Sequence, residues 1–294
     1  MRDGKIRITL LDITVTLLLA AAIVYIIYRI RVGLHYKWNW AAIPQYLFRY
    51  DAETMKLVPN LLVQGLAMTI RLSIWGTIIA TLIGLIMGLF RVSNSLFRRL
   101  VGRTYVELIR NVPPIVLIFI FYYFISDQIL VLFDLDTFVN ERAPWFRSLF
   151  GFLCAPVSRC SAFISALITL AIFEGAYITE IVRAGIQSIV KGQYEAAYAL
   201  GLSRWQTMRH IVLPQATRII LPPLAGQFIS TIKDSAIVSI ISIQELTFQG
   251  MELMSATYLT FEVWITITVL YLVLTLSLSL GVARLERSMG RATA

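Results

Sequence analysis

Two stretches of the chain are apolar and free of charge over a length that crosses a membrane. Residues 72–90 and residues 263–283 contain no Asp, Glu, Lys or Arg. A transmembrane helix needs about 20 consecutive apolar residues. Only 15% of the 294 residues are charged, whereas a soluble domain carries about a quarter. The sequence therefore predicts an all-α integral membrane protein.

Four further candidate spans are shorter or interrupted, which gives about six in total. The span at residues 13–28 follows a basic N-terminus and is interpreted as an uncleaved first helix, because no small-residue cleavage site follows it. Charge or irregular backbone at membrane depth is tolerated only against protein or a water-filled path. The interrupted candidates are therefore the ones expected to have a function: residues 111–126, 160–173 (continuing to 180) and 219–243.

The Lys and Arg residues predict the orientation of the chain. With the N-terminus in the cytoplasm, the inside segments carry about twice as many Lys and Arg as the outside ones. This bias predicts a multi-pass protein of a bacterial inner membrane with both termini in the cytoplasm. It also explains the net charge of +9 without a nucleic-acid partner.

One polar segment, which this orientation places in the cytoplasm, has the composition of two short helices. Good helix formers run to Leu200, and Gly201 is placed to end the first helix. Ser203 and Gln206 form a capping-box pattern at the start of the second helix. The pair Leu213-Pro214 is expected to end that helix, on which Trp205, Met208 and Val212 would share one face.

Three interpretations of this polar segment differ in the partner that it would contact. A helix-turn-helix that reads DNA fits the pattern, but both ends enter the bilayer within a few residues, so neither helix could reach a major groove. An amphipathic loop on the membrane surface would explain the apolar face. The small residues Ala196, Ala197 and Gly201 instead favour close approach by another protein.

The spacing of this segment resembles the cytoplasmic signature of ABC-importer permeases. Glu195-Ala196-Ala197 is followed after three residues by Gly201, and after nine more by Ile211-x-Leu213-Pro214. The flanking sequences "YVELIRNVPP" and "STIKDSAIVSIISIQELT" resemble the polar amino-acid uptake permeases. The resemblance implies a permease core at residues 60–290 with a coupling segment at residues 191–214, after an N-terminal span and external segment at residues 1–59.

The resemblance also implies the partners and the energy source. Such a permease works in a complex with ABC ATPase subunits (two per complex) that use ATP and Mg, a second permease (identical or a sister subunit), a periplasmic or external amino-acid-binding protein and membrane lipid. The sequence has no G-x-x-x-x-G-K-[ST] loop, so the chain itself is expected to be non-catalytic and to bind no cofactor. The residues implied to couple to the ATPase are Glu195, Ala196, Ala197, Gly201, Leu202, Trp205, Ile211, Leu213 and Pro214.

Polar residues within the interrupted spans are the candidates for the substrate pathway. Glu174 could face the pore and meet a substrate ammonium group, or could pair with Lys233. Glu180 is spaced to pair with Arg183, and Arg110 could meet a substrate carboxylate or anchor at lipid headgroups. The full set of pathway candidates is Arg110, Asn111, Glu174, Tyr177, Glu180, Lys233 and Asp234.

Other classes of function are also weighed against the residues. A secondary transporter driven by an ion gradient would use internal repeats, and none is evident. No catalytic cluster gathers, and two cysteines without a nearby His do not predict a metal site. Cys154 and Cys160 could form a local disulfide or remain two small apolar side chains. Small residues every four positions predict close helix packing, within the chain or at a subunit seam: Gly76, Ala80, Gly84 and Gly88.

Overall fold

The computed structural model describes residues 9–33, 36–53, 55–125, 128 and 135–291. The chain divides into two compact units, residues 1–40 and residues 41–294. The first unit contains helix α1 (Leu10–Gly33), which is apolar along most of its length. The boundary between the units lies at residue 40, whereas the topology predicted from sequence divides the chain at residue 59.

The regular structure in the described part of the second unit is helical apart from one hairpin. It begins with α2 (Ile43–Leu47) and the antiparallel strands β1 (Phe48–Asp51) and β2 (Lys56–Pro59). The helices that follow are α3 (Leu61–Val92), α4 (Leu96–Asn111), α5 (Pro114–Phe124), α6 (Leu135–Asn140), α7 (Pro144–Leu153), α8 (Cys160–Gln187), α9 (Lys191–Ala199), α10 (Arg204–Thr207), α11 (Leu213–Asp234), α12 (Leu246–Thr257) and α13 (Thr260–Arg291). A π-helical turn (Met208–Val212) joins α10 to α11, and 3-10 helices lie at Trp40–Ala42, Val157–Arg159 and Ser235–Ile241.

Four helical segments of the described chain are long and apolar enough to cross a membrane. They are Leu61–Val92, Val157–Gln187, Arg204–Ile241 and Thr260–Arg284. Helices α4 and α5 meet at 114° and would together count as a fifth span. The apolar part of α1, Leu10–Ile26, is shorter than these, and a sixth span stays a prediction.

The interrupted spans differ in how their helices respond to the breaks. The predicted span at residues 111–126 is bent at its start because Pro113 and Pro114 separate α4 from α5; its predicted end, Ser126, lies outside the described residues. Pro222 and Pro223 lie inside α11 without ending it. The α-helix ends instead at Asp234, and a 3-10 helix begins at the next residue, Ser235.

The stripe of small residues on α3 packs against α8 within the same chain. A Cβ atom added at Gly84 would lie 2.5 Å from Ile178 Cγ2, and one at Gly88 would lie 2.6 Å from Val182 Cγ1. Real Cβ atoms do not approach that closely, so the two helix backbones meet at a distance that only glycine permits. This confirms packing within the chain as the role of the stripe.

The structure also distinguishes a Cys154–Cys160 disulfide from two separate apolar side chains. Cys154 and Cys160, both in the described part of the chain, are not joined by a disulfide. Cys160 is buried at the start of α8, and Cys154 packs against the apolar core between α3 and α8.

Candidate functional site

The coupling segment folds as two helices around a left-handed glycine. Helix α9 ends at Ala199, and Gly201 has φ of +76°, a conformation that glycine adopts without steric cost. Ser203 and Gln206 form the capping box: Ser203 N–H donates to Gln206 Oε1 (2.8 Å), and Gln206 N–H donates to Ser203 Oγ (3.4 Å). The turn and the cap are therefore confirmed.

The end predicted for the second helix is wrong. The chain does not break at Leu213-Pro214, because the π-helical turn leads from α10 directly into α11. Pro214 lies in the first turn of α11, where a missing N–H is tolerated. The π turn also adds residues to one helical turn, so Trp205 is 68% exposed while Val212 is fully buried. The predicted shared face is therefore lost.

The implied coupling residues lie in two environments. Glu195, Ala196, Gly201, Trp205 and Pro214 are exposed. Leu202, Ile211 and Leu213 are half-buried, and Ala197 is buried within the segment. Ala197 therefore packs inward, and the exposed members define the surface that another protein can reach.

The base of the coupling segment is packed onto the ends of α8 and α11. Ile186 of α8 and Ile189 just after it join Val212, Ala216 and Ile220 in one buried apolar cluster, against which Tyr194 of α9 also packs. Gln215 Nε2 of α11 donates to Gln193 Oε1 of α9 at 3.3 Å. Closely packed interiors transmit a displacement instead of absorbing it. A displacement of the coupling segment is therefore expected to move α8 and α11 with it.

Glu180 is held by two arginines. It accepts from Arg183 at 2.7 Å, and it also pairs with Arg91 of α3. The pairing with Arg183 follows the spacing on α8, and it is confirmed. Arg91 could not be found from sequence because it lies 89 residues away.

Glu174 is fully buried on α8 and is engaged by α11. Its Oε2 accepts from Gln227 Nε2 at 2.7 Å, and the carboxylate of Asp234 is close to it. Its Oε1 has no hydrogen-bond partner among the described residues. Lys233 is exposed and forms no ion pair with Glu174 in this part of the chain, so the Glu174–Lys233 alternative is wrong. Gln227 was missed because an amide gives no sequence signal for such pairing.

The remaining pathway candidates gather at a second place. The Arg110 guanidinium lies 5.3 Å from the centre of the Tyr177 ring, and Asn111 Nδ2 donates to the carbonyl of Glu107 at 2.8 Å. Arg110, Asn111 and Glu180 line one cavity of about 370 Å³. The structure thus divides the candidates between this cavity and the Glu174–Gln227–Asp234 cluster, with Lys233 in neither.

The described chain combines long apolar helical segments, buried polar groups between them and an exposed helix pair at one end, which is the arrangement of a membrane protein that couples to another protein. The chain belongs to the family of binding-protein-dependent transport system inner membrane components, whose model matches residues 80–291. It is therefore an ABC-importer permease, a multi-pass protein of the inner membrane.

Several relatives are named in more detail. The glutamine transport system permease protein GlnP of Escherichia coli (strain K12) is 34% identical over 229 residues, 78% of this chain and 93% of that protein. The glutamate/aspartate import permease protein GltJ of the same strain is 34% identical over 69% of this chain and 76% of its own length.

Solved structures resemble the fold. The crystal structure of an amino acid ABC transporter with histidines has a TM-score of 0.65 and 32% identity, covering 86% of this chain and 100% of that one. The MetNI methionine ABC transporter in inward-facing conformations has a TM-score of 0.58 at 20% identity, covering 78% of this chain and 96% of that one.

Proposed function

We propose that this permease carries a polar amino acid, which it receives from an external binding protein and releases into the cytoplasm by alternating access. The relatives support this substrate class, since two of them are named for glutamine and for glutamate/aspartate. The similar solved structure is also that of an amino acid ABC transporter.

The observation that carries the proposal is the exposed surface of the coupling segment. Two large apolar side chains of this segment are exposed: Leu200 is 80% exposed and Trp205 is 68% exposed. Exposed apolar groups clustered in a polar segment are typical of a protein interaction site. One of the two ATPase subunits of the complex, which hydrolyse ATP with Mg, would press on this surface, so catalysis would belong to the partners and not to this chain.

The same mechanism requires a defined orientation and a second permease. The coupling segment and both termini would lie in the cytoplasm, as the Lys and Arg bias favours. A second permease, identical or a sister subunit, would complete the pathway. Movement of the coupling segment would then tilt α8 and α11, onto whose ends it is packed.

Transport by the purified complex tests the proposal. The permease, its ATPase and its binding protein are reconstituted into vesicles, and uptake of a radiolabelled mixture of amino acids is followed. We expect uptake only with the loaded binding protein and with ATP on the side of the ATPase. Uptake that persists without ATP but with a proton or sodium gradient would contradict the proposal.

Within the pathway, Glu174 is proposed to meet the substrate. A buried carboxylate is costly unless a cation or a donor reaches it, and Gln227 supplies a donor to only one of its two oxygens. The other oxygen is available to a cationic group that passes between α8 and α11. The Arg110–Asn111 cavity is proposed to offer donors to a carboxylate.

Glu174→Gln is expected to change amino-acid selectivity. The amide keeps the size of the side chain and removes its charge, so competition by cationic amino acids should weaken about tenfold, as for loss of one charged hydrogen bond. ATPase stimulation should persist. The exposed Glu252→Gln is the matched control. Identical competition profiles of acidic, neutral and basic amino acids for the Glu174→Gln variant and the wild type would rule out this role.

A further inference from the structure

A cavity of about 340 Å³ lies at the N-terminal end of α3, away from both groups of pathway candidates. It is formed where the first three turns of α3 meet the end of α7 and the start of α12. The residues that line it are Pro59, Val63, Gln64, Ala67, Met68, Arg71, Gly151, Pro156, Arg159, Gln244 and Gln249.

The cavity is cationic. Arg71 and Arg159 line it, and none of its described lining residues is a carboxylate. Arg159 donates to Gln244, whereas Arg71 donates no hydrogen bond and forms no ion pair within the described chain. A guanidinium presents several donors in a planar fork that matches a carboxylate. Neither arginine is therefore paired with an anion in the described chain, and Arg71 is the one whose donors are all unused.

The nearby acid does not neutralise the arginines by direct contact. Glu245 follows Gln244, but its carboxylate is turned toward α12 and α13. It accepts from the backbone N–H groups of Thr247 (2.9 Å) and Phe248 (2.7 Å), from the Tyr271 hydroxyl (2.9 Å) and, more weakly, from the Thr69 hydroxyl of α3 (3.3 Å).

Gln249 offers the cavity a hydrogen-bond acceptor that could bind a cation. The Gln249 side chain is in a residue that is only 4% exposed, and Gln249 Nε2 donates to Gln244 Oε1 at 3.5 Å. Its Oε1 is buried and has no donor among the described residues. Leaving a buried acceptor without a donor is unfavourable. The position is also fixed by packing, since a Cβ added at Gly65 would lie 2.9 Å from Gln249 Cγ.

We propose that this cavity, here called the outer pocket, binds the carboxylate of a free amino acid at Arg71 and its ammonium group at Gln249 Oε1. An amino-acid backbone carries both charges, and a cavity with a free guanidinium and an orphaned acceptor is complementary to that pair. The inference rests on the proposed function, and it adds a binding step before the amino acid reaches Glu174.

An apolar layer separates the outer pocket from Glu174. Met68 lines the pocket and belongs to a buried cluster with Leu72, Phe163, Leu167 and Val238. Ala80, which packs against Ala171 and Ile178 on either side of Glu174, is nine residues beyond Arg71, about 13 Å along a helix. An amino acid in the outer pocket would wait behind this closed layer until α3 and α8 move.

Protection from labelling tests the pocket directly. Ala67→Cys is introduced into a variant with Cys154→Ser and Cys160→Ala, and the complete complex in nanodiscs is treated with a small anionic methanethiosulfonate. We expect a mixture of the standard amino acids other than cysteine to slow labelling. Acetate and methylammonium, which each carry one of the two groups, should protect far less.

Substitutions assign the two contacts. Arg71→Met and Gln249→Leu should each raise the half-protecting concentration about tenfold, while Arg71→Lys should keep part of the protection. Co-purification of each variant with the ATPase shows that it is folded. ATP-driven uptake of the same amino acids is measured in parallel on the complex that carries the Ala67→Cys substitution.

The outcomes separate this inference from the proposed function. Uptake without protection would overturn the outer pocket alone, and neither uptake nor protection would overturn both proposals. Protection by the loaded binding protein but not by free amino acids would also overturn the outer pocket, because the arginines would then contact the binding protein when it docks. Protection that both substitutions weaken supports the inference.

Discussion

Gly201→Asp is expected to abolish transport while the chain remains folded and inserted. A Cβ at this position meets no atom within 4 Å, so the new side chain disturbs nothing in this chain except the left-handed turn. Aspartate is among the residues that tolerate that conformation. Its carboxylate would, however, lie on the surface proposed to receive the ATPase, where an unpaired charge removed from water is strongly unfavourable.

The control for this prediction is Gly201→Asn. Asparagine has nearly the same size and also adopts the left-handed conformation, so it separates the charge from the turn. We expect the Asp variant to lose ATP-driven uptake and co-purification with the ATPase, and the Asn variant to keep a measurable part of both. Wild-type uptake by Gly201→Asp would show that this surface is not the coupling contact.

Features set by neighbours in sequence could be predicted. The Gly201 turn and the Ser203–Gln206 capping box depend on residues within a few positions of each other, and both are confirmed. The π turn at Met208–Val212 could not be predicted, because its hydrogen bonds compete closely with those of an α-helix. Because of this turn, Trp205 does not share a face with Val212, as the sequence had predicted.

Contacts between distant helices could not be read from the sequence. The burial of Glu174 follows from its place in an apolar span, yet its partner Gln227 lies 53 residues away on α11. Lysine at position 233 was the natural partner by charge, but it points outward. The outer pocket depends in the same way on α3, α7 and α12 coming together, and its two main contacts, Arg71 and Gln249, lie outside the stretches that carry the family resemblance.

Glu245→Ala is expected to cause the largest loss of stability of any single polar substitution proposed here. Glu245 is fully buried between the 3-10 helix Ser235–Ile241 and α12, outside the candidate spans. It caps α12 through Thr247 and Phe248 and binds Tyr271 of α13 and the Thr69 hydroxyl of α3. Removing a buried acceptor of several donors should cost about 3 kcal/mol.

Ser203→Ala is the matched control for Glu245→Ala, because it also removes an N-cap but from an exposed helix. It should cost about 0.5–2 kcal/mol, as exposed caps do. Thermal unfolding of the purified chain in one detergent compares the two variants with the wild type. Equal losses for both would show that the connection of α12 to α3 and α13 through Glu245 adds nothing to stability.

The loss caused by Glu245→Ala should also depend on pH. Burial raises the pKa of Glu245 from 4.5 to about 6, so the folded chain holds this proton more tightly than the unfolded chain does. The wild type therefore gains stability from the carboxyl group as pH falls through 6 toward 4.5, and the alanine variant cannot. The difference between them should grow by about 2 kcal/mol in total between neutral pH and a pH well below 4.5. A difference that shrinks toward acid pH would mean that Glu245 acts mainly as a stabilised carboxylate.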